Sequence, residues 1–123
     1  FVNLVNEFWF ETSYVAKYLK RDELWLAKFI DCNLKSFLLK MIEWHEQSKH
    51  GWDYETYYSG RAMKSWASAD TWESLHQTFA RFDGGDSWKS LFATMNLGYF
   101  YPHEVDRNLT GFVSQIENDA SVK

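Results

Sequence analysis

At 123 residues, with 46% hydrophobic and 24% charged side chains, the chain matches one globular domain with a real core. Its net charge of −4 excludes the basic surface that nucleic acid requires. No apolar run approaches the ~20 residues needed to cross a bilayer, so no membrane partner is expected.

Aromatic residues reach 20%, with seven Trp, seven Tyr and ten Phe. A core of this size cannot hide them all, so some should line a groove or an interface, a second copy of the chain included. The single cysteine, Cys32, excludes an internal disulfide and fits a reducing, cytoplasmic setting. The chain starts on Phe1 rather than Met, which fits a processed product or one domain of something larger.

The first helix is expected over about Asn6–Lys20, where Phe8, Thr12, Val15 and Leu19 recur at helical spacing. Asp22 can cap a second helix whose stripe runs Ala27, Ile30, Leu34, Phe37, Leu38, Met41 and Ile42. It should end at Gly51 and, at ~1.5 Å per residue, be about 40 Å long. An aromatic loop, Gly51 to Gly60, precedes a short helix from Arg61 to about Trp66.

Ser68 or Asp70 then caps a helix through about Phe82. Asp83-Gly84-Gly85 reads as a break, with Asp86 or Ser87 capping the next helix. Gly98 to Pro102 reads as a turn before a last helix to Ile116, carrying Val105, Leu109, Phe112, Val113 and Ile116 inward, and the tail after Glu117 should fray. No strand alternation is present. The expected fold is all-α, a single compact bundle of five or six helices with one long central helix.

The chemistry-bearing motifs are mostly missing. The four histidines and the cysteine make no pair at metal-ligand spacing, so no metal site is expected in this chain. There is no phosphate-binding Gly-rich loop and no Asp-x-Asp pair. The chain is not expected to be catalytic alone.

Candidate residues gather on the first helix. Glu7, beside Phe8 and Trp9, is a candidate general base for a hydroxyl or a partner for a cation. It reads equally as a carboxylate stabilising the helix dipole. Glu11 lies one turn on and would share its face. Trp9, Tyr14 and Tyr18 can form a wall for an adenine or sugar ring, or can be core. Arg61 and Lys64 can meet phosphate, or can be solvated helix charges.

The segments Asn6-Glu7-Phe8-Trp9-Phe10, Tyr14-Val15-Ala16-Lys17 and Lys20-Arg21-Asp22-Glu23-Leu24 resemble the aminoglycoside 6-adenylyltransferase family, the streptomycin adenylyltransferases. The likeness continues through Met41-Ile42-Glu43-Trp44-His45, Trp88 to Phe92 and Tyr99 to Asp106. Three features depart from the family pattern. Tyr18 stands where a Gly is usual, Ser59-Gly60-Arg61 with Lys64 replaces a Gly-Lys, and the stretch from Phe92 to Tyr99 is shorter.

The resemblance implies the family's C-terminal helical domain, partnered by an N-terminal nucleotidyltransferase domain that holds most of the ATP and magnesium. It implies transfer of AMP to a hydroxyl of an aminoglycoside such as streptomycin. It also implies that Lys17 meets the ATP phosphates, where an ammonium would neutralise the departing pyrophosphate. A helical module that binds a ligand or another protein without catalysis is the alternative.

Overall fold

A computed structural model describes residues 2–122, apart from the side chains at 112, 113, 116, 117 and 119–122. It is all-α with five helices: α1 (Val2–Lys20), α2 (Leu24–His50), α3 (Met63–Trp66), α4 (Ala69–Leu75) and α5 (Gly84–Val122). The three long helices form the body, with α1 and α5 packed on α2 and on each other. The short α3 and α4 pack together beside them.

Periodicity explains the body. Phe8, Thr12, Val15 and Leu19 are the buried face of α1. Ala27, Leu34, Leu38, Met41 and Ile42 bury one stripe of α2, and the same phase carries His45 and Glu46 inward. On α5, Ser87, Ser90, Leu91, Thr94, Tyr101 and Val105 are buried. Small residues there let helices approach closely, and Ser90 and Thr94 hydroxyls donate to their own helix, to Ser87 O and Ser90 O.

Several boundaries differ from the sequence-based expectation. Asp22 does not cap α2; it takes the left-handed conformation (φ 57°) that closes α1. Its N–H donates to Leu19 O at 3.1 Å and that of Glu23 to Tyr18 O at 2.9 Å, a Schellman closure. Glu23 then precedes α2. Ser68 does cap α4, accepting from Thr71 N at 3.3 Å.

That helix stops at Leu75 rather than Phe82. The Thr78 hydroxyl takes the Leu75 carbonyl at 2.8 Å, and the chain leaves along α2, where Lys28 Nζ donates to Ala80 O at 3.2 Å. The α5 cap is Asp83, whose carboxylate accepts from Asp86 N at 2.8 Å. The two glycines after it are thus the first helical turn, not a break.

The expected turn at Gly98–Pro102 is absent, because α5 runs through it and carries Pro102 inside the helix. Gly98 serves close packing instead. A β-carbon there would lie 2.9 Å from Phe8 Cδ1 and nearer still to Cε1 and Cζ. The tail beyond Glu117, expected to fray, continues the helix to Val122. The inward roles expected of Phe112, Val113 and Ile116 fall outside the described side chains. No helix is long and apolar enough to cross a membrane among the described residues.

Candidate functional site

Helix α1 offers one chemically loaded flank. Glu7, Glu11, Tyr14 and Tyr18 follow at intervals of four, three and four residues, which places them in one row beside the buried stripe. Glu7 is exposed and Glu11 half-buried, and neither has a cationic partner among the described residues. Phe8 turns fully into the core, so it does not frame the Glu7 carboxylate.

Tyr14 and Tyr18 stack with ring centroids 6.3 Å apart, and Phe10 meets Tyr14 edge-on at 4.9 Å. Lys17 is exposed, yet its ammonium is placed by these rings, 5.4 Å from the Tyr14 centroid and 5.6 Å from that of Tyr18. It has no carboxylate partner among the described residues. The flank therefore joins one exposed and one half-buried carboxylate, an aromatic pair and one oriented ammonium.

Three other candidates stand apart. Trp9 is half-buried, packs on the core and meets Phe8 edge-on at 5.2 Å. Helical phase puts it nearly opposite the Tyr14–Tyr18 row, so the structure does not assemble the three-ring wall. Arg61 and Lys64 are exposed around α3, which packs on α4. Arg61 has a structural role, since its carbonyl accepts from Trp66 Nε1 at 2.9 Å. Among the described residues no group of three or more His, Cys, Asp or Glu side chains comes together to hold a metal ion.

A buried polar network was not anticipated. Glu46 is 1% exposed, accepts from Ser68 N at 3.0 Å through Oε1, and has His50 Nε2 at 3.3 Å and Lys49 Nζ at 3.8 Å from Oε2. The Ser68 hydroxyl donates to Thr71 Oγ1 at 2.9 Å, and the Tyr101 hydroxyl does so at 2.8 Å. Burial pushes the Tyr101 phenol up and holds the adjacent His45 imidazole below its ordinary value, the latter aided by Lys49. These groups tie α4 to α2 and α5. The signal was present in helical phase, since residues 45 and 46 continue the buried stripe of α2.

Two concavities lie against α2. One, of about 770 Å³, opens between α2, α4 and α5 over His45, Thr71 and Tyr101. The other, of about 690 Å³, lies between α2 and the α3–α4 region, with Lys35, Trp72 and Phe79 in its wall. Neither is lined by α1.

Comparison with known proteins yields one consistent group. The profile of the family described as streptomycin adenylyltransferase matches residues 1–123. An aminoglycoside 6-adenylyltransferase of Bacillus subtilis (strain 168) is 32% identical over 110 residues, which cover 89% of this chain and 39% of that protein. An aminoglycoside 6-adenylyltransferase of Campylobacter jejuni is 31% identical over 98 residues, 79% of this chain and 34% of the relative. The chain thus spans about two fifths or less of the curated relatives it matches. The crystal structure of an aminoglycoside 6-adenyltransferase from Bacillus subtilis superposes with a TM-score of 0.79 at 28% identity, covering 94% of this chain and 48% of the other.

Proposed function

The chain belongs to the streptomycin adenylyltransferase family, and from that premise we propose that it is the substrate-side helical domain of an enzyme that adenylylates an aminoglycoside. The reaction is attack of a drug hydroxyl on the α-phosphorus of ATP, with pyrophosphate leaving and the hydroxyl proton passing to a base. Product formation would confer resistance to the drug. The observation that carries this reading is the α1 flank, where Lys17 is held over Tyr14 and Tyr18 on the same helix as the carboxylates of Glu7 and Glu11.

In this reading the α1 flank faces an N-terminal nucleotidyltransferase domain in the cytoplasm. Magnesium would be held there; the described side chains of this chain make no cluster that fits it. Lys17 neutralises charge on the triphosphate, and a flexible ammonium suits groups that gain charge as the bond breaks. Glu7 takes the hydroxyl proton. Glu11 pairs with an ammonium or guanidinium of the drug, and Tyr14 covers a ring face. Arg61 and Lys64 are assigned outer contacts to the nucleotide.

The test is mass spectrometry of streptomycin incubated with ATP, magnesium and the polypeptide that carries this chain. Adenylylated drug with release of pyrophosphate is expected, and the helical chain alone should give none. Absence of product from the complete polypeptide across a panel of aminoglycosides would defeat the proposal.

A further inference from the structure

We propose that the groove between α2 and the α3–α4 region is a second ligand site, taking a neutral, planar, mainly apolar ring system that carries one hydrogen-bond acceptor. Its volume of about 690 Å³ falls in the ~300–1,000 Å³ span of small-molecule sites. The floor is aliphatic, from Leu38, Leu39, Ile42 and Leu75. Trp72 and Phe79 supply flat walls. A flat ring system buries the most apolar area against such walls.

The polar end is specific. Lys35 lines the groove with its side chain 12% exposed, and its Nζ lies 5.2 Å from the Phe79 centroid. Its Nζ lies 2.9 Å and 3.0 Å from the two carboxylate oxygens of Asp31, which take at most two of its three N–H groups. At least one donor remains, and a ligand carbonyl or ether oxygen can accept from it.

Charge selects against other ligands. Lys35 and Asp31 together contribute no net charge. An acid approaching Lys35 meets the Asp31 carboxylate, and an amine meets the Lys35 ammonium. A neutral ligand avoids both penalties, which are large where side chains are screened from water. Burial already holds the Lys35 ammonium below its ordinary value despite Asp31, so the groove is a poor place for further charge. The site shares no lining residue with the α1 flank, so it stands or falls apart from the adenylyltransferase reading.

The test uses the full chain with two dyes, neutral Nile red and anionic 1-anilinonaphthalene-8-sulfonate. Nile red should bind saturably at one site per chain with a blue shift, at least tenfold more tightly than the anionic dye. Ser36→Trp, which fills the groove, should weaken Nile red at least tenfold with an unchanged circular-dichroism melt, whereas Phe82→Ser outside it should not. Asp31→Asn should tighten the anionic dye severalfold while leaving Nile red within twofold. If Ser36→Trp fails to fold, alkylating Cys32 at the mouth with N-cyclohexylmaleimide blocks the groove in the native chain. Non-saturating Nile red binding, binding indifferent to both blocks, or no charge effect at Asp31 overturns the proposal.

Discussion

The ring of Phe8 fills the space that a side chain at Gly98 would need, so α1 and α5 meet where one residue has none. Phe8 is fully buried there. Gly98→Ala should therefore destabilise the chain by about 1–3 kcal/mol, the usual cost of overpacking. The gain of up to about 1 kcal/mol from replacing a helical glycine offsets this only in part. Urea unfolding measures it. Combined with Phe8→Leu, the second substitution should cost less than it does alone, because the two share one space.

Glu46 anchors α4 from inside α2, so its replacements should rank by what they leave for Ser68 N–H. Glu46→Gln keeps an acceptor oxygen. Glu46→Leu leaves a part-buried donor unpaired and should cost about 1–3 kcal/mol more. Equal losses in urea unfolding would contradict this role.

His45 gives stability a pH dependence. Burial disfavours its charged form in the fold, so the unfolded chain binds the proton more readily. Its contribution is full above the ordinary imidazole value of 6.5 and is lost as pH falls from there toward the lower folded value. Glu46 and Glu104 act against this shift, and Lys49 and Arg107 with it. Unfolding free energy measured at pH 7.5 and pH 5.5 should fall further in the wild type than in His45→Phe.

The two carboxylates of α1 should separate kinetically. Glu7→Gln removes the assigned base and should lower kcat for adenylyl transfer by about 10²-fold or more. Glu11→Gln should chiefly raise KM for the aminoglycoside, since it removes binding common to ground and transition states. Initial rates at varied drug concentration distinguish the two, and a reversed pattern would exchange the assignments.

The body of the fold was legible because apolar spacing alone dictates which faces of α1 and α2 turn inward. That Glu7 and Glu11 share a face of α1 was legible for the same reason. Local turn chemistry misled where tertiary packing overrode it. Gly98 and Pro102 read as a turn, yet Gly98 is small for the sake of Phe8, some ninety residues earlier. Phe79 and Phe82 read as a helical face, yet the segment is drawn out along α2 by Lys28. Trp9 could not be separated from Tyr14 by composition, only by where the core lies. The Glu46 network joins residues 22 and 30 positions apart, beyond the reach of any local pattern.

On the proposed reading, the Lys17 ammonium, held over Tyr14 and Tyr18, works on the nucleotide. That role is tested by kcat/KM for AMP transfer from ATP to streptomycin by the complete polypeptide carrying Lys17→Ala. A fall of about 10²-fold or more, with an unchanged melting temperature, is the expected result. Wild-type kcat/KM in that variant would contradict it.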